Sequence, residues 1–287
     1  MYMKKILQIP HDLDVIVIGG GVSGMAAAAT LSRAGKRVLV LDQNEVLGGG
    51  ASTQTVKGIE VEVGAYFIGE VGDRWSILRT ALDQLTDGRV DFVPFDRLQD
   101  KVYIGKDQRT YEIYGGQEWA PQLKRQFPEA HGDIDKFMEL VKPANAWRFA
   151  LFPLKMLPAW LTMLPMFTKI SGLLTKSFET LKGQTLKHVL ERVTTNLDLR
   201  EVLGYHWNVL DVPPEDVPFA IVAALDLHYT QQRSFWPVGG PSEIPFHMVP
   251  VIEKSGGKSL VRASVHEILF SGKVARWQNL QRSAAEP

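Results

Sequence analysis

Gly19, Gly21 and Gly24 stand in the order G-x-G-x-x-G, and Asp42 follows about 20 residues later. That spacing suits dinucleotide binding: a tight turn, a bare backbone for a pyrophosphate, and an acid for ribose hydroxyls. Gly19 permits the turn, Gly21 keeps a side chain out of the way, and Gly24 lets a helix pack close on a strand. Val22 and Ser23 would open that helix, where unpaired N–H groups and the macrodipole attract an anion. The charge on Asp42 disfavours a 2′-phosphate beside it. A glycine-rich turn in an unrelated α/β fold, binding nothing, is the plain alternative.

These residues need a strand, a helix and a second strand to hold them. Val15-Ile16-Val17-Ile18 is a β-branched apolar run suited to a parallel strand buried on both faces. Val22 to Arg33 is alanine-rich and helix-forming, with Gly35 at a C′-like stop. Arg37 to Leu41 forms a second apolar strand that ends on Asp42. The stretch before Asp14 has too short an apolar run for a signal peptide and reads as a lead-in.

Composition narrows the function classes. A chain of 287 residues, 45% apolar and 22% charged, is folded and long enough for two domains. Lys+Arg and Asp+Glu are 32 each, which gives no electrostatic case for nucleic acid. With no cysteine, disulfides, thiol nucleophiles, cysteine zinc sites and a cysteinyl flavin link are excluded. The histidines show no metal-ligand spacing, and no metal is expected.

A second glycine cluster separates the candidate dinucleotides. Gly48-Gly49-Gly50 follows Asp42 closely, with Ser52 and Thr53 next. A plain NAD domain has no such second point of backbone approach. The pattern resembles flavoproteins such as amine oxidases and phytoene desaturases, in which the acid leads to a Gly-Gly-x-x-x-Thr loop and a D-x-G-x-x-x-x-G turn. Here Glu62 stands in place of that Asp, followed by Gly64 and Gly69. A glycine-rich surface hairpin is the bland reading. Later, Gly239-Gly240 precede a helix-like run from Ser242 to Lys254, Gly256-Gly257 stop it, and SLVRASVHEILF reads as a strand.

The runs GAYFIG (64–69), LHYT (227–230) and WPVGGPSEIPFHMVPVIEKSGG (236–257) resemble the retinol saturase family, close to carotenoid isomerases and phytoene desaturases. The likeness runs from Asp14 to about Phe270. It implies an α/β fold: a Rossmann-like FAD-binding domain of the glutathione-reductase and amine-oxidase type with an inserted α+β substrate domain. It also implies non-covalent FAD, with NAD(P)H as a candidate electron donor, acting on a C=C bond of a hydrophobic polyene or retinoid. FAD would lie on Gly19, Gly21, Val22, Ser23, Gly24, Asp42, Gly48, Gly49, Gly50 and Thr53, and the Val265 backbone would meet the adenine. Family members are about twice as long, so the chain reads as their N-terminal half, with the C-terminal half of the fold missing.

The resulting organisation is 1–88 and 238–287 as two segments of the FAD domain, with 89–237 between them. Val90 to Tyr114 alternates as antiparallel strands do, and the pattern turns helical from Glu118. Residues 146–174 are apolar and aromatic, with Arg148, Lys155 and Lys169 as the basic members and no acid. The longest uncharged run, Met156 to Thr168, is too short to span a bilayer. Trp147, Trp160 and the basic residues suit a segment lying in a membrane interface; a helical hairpin lining a substrate tunnel is the other reading. The implied location is peripheral, at the endoplasmic reticulum in a eukaryote and otherwise at the cytoplasmic membrane face. His228 and His247 are candidate proton donors or structural histidines. Three alternatives remain: an amine-oxidase-like flavoenzyme, a lipid-handling protein like the Rab GDP-dissociation inhibitors, or an inactive truncated remnant.

Overall fold

The computed structural model describes residues 10, 12–64, 67–144, 157–162, 181, 183–231, 233–271 and 274–276. The chain divides into two units, 1–93 with 235–287, and 94–234.

Unit 1 is built on a parallel sheet in the order β1 (Val15–Ile18), β2 (Val38–Leu41) and β10 (Lys258–Leu260). Val15 sits opposite Val38, and Lys258 opposite Leu39. Because side chains alternate along a strand, β2 is buried on both sides. Val38 and Val40 pack with Met25, Ala28 and Ala29 of helix α1 (Val22–Arg33) and Met248 and Ile252 of the long helix α10 (Glu243–Lys254). Leu39 and Leu41 pack on the other side with Ala263, Ile16 and Val265. The outer strand β1 lacks that double cover. It is half-buried, and Ile18 is 51% exposed, because β1 is an edge of the sheet among the described residues.

Helix α1 buries Met25, Ala28, Ala29 and Ser32, one face at helical spacing, and Gly35 follows its cap in a left-handed conformation. Strands β3 (Thr53–Val56) and β4 (Ile59–Glu62) form a hairpin turned at Lys57 and Gly58, both with positive φ, as a type I′ turn requires. A short sheet of β5 (Ile68–Gly69), β9 (Ser234–Pro237) and β6 (Phe92–Pro94) marks where the chain leaves unit 1 and returns. Helix α2 (Ile77–Thr86), capped by the Ser76 hydroxyl, lies between β5 and β6 in sequence, and β11 (Leu269–Ser271) pairs with β12 (Val274–Arg276).

Unit 2 opens with the antiparallel pair β7 (Leu98–Ile104) and β8 (Arg109–Tyr114). Helices α3 (Trp119–Gln126), α4 (His131–Val141), α5 (Ala159–Thr162), α6 (Leu186–Val193), α7 (Leu197–Gly204), α8 (Trp207–Leu210) and α9 (Phe219–Asp226) follow. Its core joins Trp119, Ile134, Phe137, Leu186, Leu199 and Phe219, with Phe137 edge-on to Phe219 at 6.1 Å. The Thr185 and Asn196 side chains cap α6 and α7. Helix α9 runs into a π-helical stretch, Leu227–Gln231.

The apolar segment 146–174 lies outside the described residues apart from 157–162, where Trp160 is 68% exposed. Among the described residues, no helix is long and apolar enough to cross a membrane.

The strand expected over 259–270 is shorter than its sequence pattern. Strand β10 ends at Leu260 because its partner β2 ends at Leu41, opposite it. Arg262 then takes a left-handed conformation, φ 52°, which no strand tolerates. Val265 therefore sits in irregular chain after the sheet, not in a strand.

Candidate functional site

The G-x-G-x-x-G segment forms the turn between β1 and α1. Gly19 has φ +101°, open to glycine but strained for any other residue, and its N–H donates to the Leu41 carbonyl at 2.8 Å. Gly24 is the close-packing point: a Cβ there would overlap the Gly19 carbonyl oxygen and lie 3.3 Å from Val17 Cγ1. Gly21 caps α1 in an extended conformation with no side-chain hydrogen bond, so the first N–H groups of the helix, including those of Val22 and Ser23, have no side-chain cap. Both residues are exposed.

The second glycine cluster meets this turn directly. Gly48 N–H donates to the Gly20 carbonyl at 2.8 Å, and Gly21 and Gly48 form a parallel bridge. A Cβ on Gly49 would come within 3.2 Å of Gly21 Cα. In front of Gly19, Gly21 and Gly50, by contrast, a Cβ would meet nothing within 4 Å. The backbone thus forms a cradle, closed behind and open in front, at the positive end of a 12-residue helix. That is the shape and polarity a diphosphate needs, and these residues fit the ADP end of a dinucleotide.

Thr53 is half-buried at the start of β3 opposite Glu62, and a Cβ on Gly240 would sit 3.8 Å from its methyl group. A Cβ on Gly48 would press on Pro245 of α10 at 2.8 Å. The structure therefore gathers the Gly48–Thr53 loop, the Gly239-Gly240 turn and the start of α10 around the fingerprint. Residues 65 and 66 of the GAYFIG run lie outside the described residues.

Asp42 is buried, 6% exposed, and both carboxylate oxygens accept backbone N–H groups: Gly20 at 2.6 Å and Asn44 at 2.7 Å. Sequence reasoning missed those partners, as it missed the three backbone hydrogen bonds tying 42–44 to 260–263. An Arg262–Glu45 ion pair at 2.6 Å adds to that junction on the surface.

The two singled-out histidines fall in different units. In unit 1, His247 Nε2 lies 3.1 Å from Glu243 Oε2 one turn earlier on α10, while its buried Nδ1 has no hydrogen-bond partner. His228 lies in the π-helical stretch of unit 2, edge-on to Tyr229 at 4.7 Å. Unit 2 also holds a histidine the sequence did not mark. His206 is 2% exposed, neither ring nitrogen has a hydrogen-bond partner, and its Nδ1 is 3.7 Å from the equally buried Asp226. Burial pushes His206 down from 6.5 to about 4. Among the described residues, no group of three or more His, Cys, Asp or Glu could hold a metal ion.

Comparison with known proteins agrees with this geometry. A family model described as an NAD(P)-binding Rossmann-like domain matches residues 17–81. An all-trans-retinol 13,14-reductase of Danio rerio is 36% identical over 267 residues, 92% of this chain and 44% of that protein. A second Danio rerio protein, named as an inactive all-trans-retinol 13,14-reductase, is 37% identical over 92% of this chain and 43% of its own length. A putative flavin-containing monoamine oxidase of Mycobacterium tuberculosis is 40% identical over 79 residues, 28% of this chain and 17% of that protein. Among solved structures, an oxidoreductase from Methanosarcina mazei aligns with TM-score 0.62 at 20% identity, over 91% of this chain and 54% of its own. That alignment establishes the shared fold, and the glycine cradle belongs to a Rossmann-like domain of the flavoprotein type. The chain spans under half the length of the curated relatives it matches.

Proposed function

Because the chain belongs with the all-trans-retinol 13,14-reductases, we propose that it provides the ADP-binding end of an FAD site in an oxidoreductase acting on a polyene C=C bond. One observation carries this reading: the open backbone cradle of Gly19, Gly21 and Gly50 at an uncapped helix N-terminus.

The residues divide the work. The N–H groups at Val22 and Ser23 bind the diphosphate, and the α1 dipole adds up to about 2 kcal/mol in a partly buried geometry. Gly48, Gly49 and Gly50 let a second stretch of backbone approach, and the Thr53 hydroxyl offers a hydrogen bond beside it. The irregular chain at Val265 borders the adenine end. FAD, when bound, supplies the hydride chemistry for the double bond; the protein holds, orients and excludes water. NAD(P)H is the reductant in this reading, and a hydrophobic retinoid or other polyene is the substrate.

Identity over this segment does not separate catalysis from its loss, since the relatives named active and inactive match at 36% and 37%. The first test is therefore binding. Purified protein titrated with FAD and with ADP is expected to bind both, with the flavin's visible absorption shifted and resolved. Failure to bind either nucleotide sinks the reading and favours a fold without cofactor.

Segment 146–174 is proposed to lie on a membrane surface, where an apolar substrate enters. Its aromatic and basic composition supports this, as does the exposure of Trp160. Liposome co-sedimentation is expected to drop in a Trp160→Glu/Phe167→Glu variant; unchanged partitioning rules the idea out.

A further inference from the structure

Asp42 ends β2 where an acid facing ribose hydroxyls is expected, yet its carboxylate is already engaged by the protein. Oδ2 accepts the Gly20 N–H at 2.6 Å and Oδ1 accepts the Asn44 N–H at 2.7 Å. Its main chain is tied as well. The Asp42 N–H donates to Leu260 O at 2.9 Å, and its carbonyl accepts the Ala263 N–H at 2.8 Å. Gly20 then passes the connection on, accepting the Gly48 N–H at 2.8 Å. One residue thereby fastens together the phosphate turn, the second glycine loop, the loop after β2 and the chain after β10.

We propose that Asp42 is a positioning residue for the diphosphate cradle, a latch on the Gly20 N–H, and not a ribose ligand. The proposal rests on the nucleotide-site reading above and assigns this carboxylate a different partner within it. Gly20 is buried, so its N–H has no solvent to turn to if the carboxylate is removed. A charge-assisted bond of this kind is among the stronger hydrogen bonds in a protein. Asparagine can accept only one of the two N–H groups through its oxygen and sets a donor against the other. Glutamate needs room for another methylene where the turn is already full: a Cβ on Gly20 would overlap Leu47 and lie 3.1 Å from the Asp42 side chain. A ribose ligand would behave differently, since glutamate reaches further and keeps both acceptors.

The test compares wild type, Asp42→Asn and Asp42→Glu by calorimetric titration with ADP and with 2′-deoxy-ADP, and follows amide exchange of the ligand-free proteins by NMR. Both variants are expected to lose at least about tenfold in affinity, by the same factor for the two nucleotides, with Gly20 exchange accelerated at least about tenfold. A loss confined to ADP, or rescue by glutamate, makes the carboxylate a ribose ligand and overturns the proposal. Unchanged Gly20 exchange in Asp42→Asn also overturns it. If the variants do not fold, the wild type decides: Gly20 and Asn44 amides protected like those of β2 support the latch, and fast exchange refutes it. A wild type that protects Gly20 but binds neither nucleotide removes the nucleotide-site reading and leaves the latch standing.

Discussion

Replacing Gly24 with alanine is expected to abolish FAD and ADP binding and to lower the stability of unit 1. The added Cβ would fall on the Gly19 carbonyl oxygen, a backbone atom that cannot rotate away as a side chain could. Relief requires α1 to move off β1, which carries Val22 and Ser23 away from the cradle and loosens Met25, Ala28 and Ala29 from the core. Overpacking of this kind costs about 1–3 kcal/mol, and more where backbone must shift. Because binding and packing share the same helix, the two losses go together. Urea unfolding and nucleotide titration of Gly24→Ala check both. Wild-type affinity in the variant would falsify the placement of α1 against the turn. Gly50→Ala is the control: a Cβ there meets only open space, so stability holds while a ligand's backbone approach is impaired.

The second large effect is pH-dependent and belongs to unit 2. Folded His206 stays neutral down to about pH 4, whereas in the unfolded chain it titrates near 6.5. The unfolded state therefore takes up the proton first. Stability is full above pH 6.5 and is lost as pH falls toward 4, by roughly 3 kcal/mol in all. Asp100, raised by burial and hydrogen-bonded to Tyr205, pushes the other way, so a difference between proteins is the informative quantity. His206→Phe removes the titrating group and fills the site with an apolar ring. Its stability relative to wild type is expected to improve by about 2–3 kcal/mol between pH 7.5 and 4.5. Denaturant unfolding at the two pH values measures it, and parallel behaviour of the two proteins would refute a neutral buried His206.

What the sequence reveals here is what local chemistry controls. The bounds of α1 are readable because alanines favour helix, Gly21 opens it and Gly35 closes it. The cradle is readable for the same reason, since each glycine is demanded by its immediate backbone. The chain after Leu260 is misread because alternation in SLVRASVHEILF says strand, whereas strand length is set by a partner over 200 residues away. Asp42 illustrates a subtler limit. Its residue type and spacing place it at the nucleotide end, but an acid that serves a ligand and one that serves a backbone N–H look alike in sequence. His206 and Asp226 are 20 positions apart and meet only through tertiary packing in unit 2, with no periodicity to announce the pair.

The position of β2 in its sheet has a consequence for how the protein is made. The strand is the centre of unit 1, yet one neighbour, β1, precedes it and the other, β10, is more than 200 residues downstream. At roughly 5–20 residues per second of synthesis, β2 waits about 10 to 40 s on the ribosome for its second edge. All of unit 2 emerges during that interval as an unbroken stretch, 94–234. The middle of the chain is thus free to fold before the beginning can finish. Leu39 and Leu41 meanwhile stay uncovered, since Ala263 and Val265, which bury them, arrive last. Nascent chains stalled just before Lys258 should hold unit 2 protease-resistant and leave the fingerprint segment cleavable, a demand on chaperones set by strand order alone.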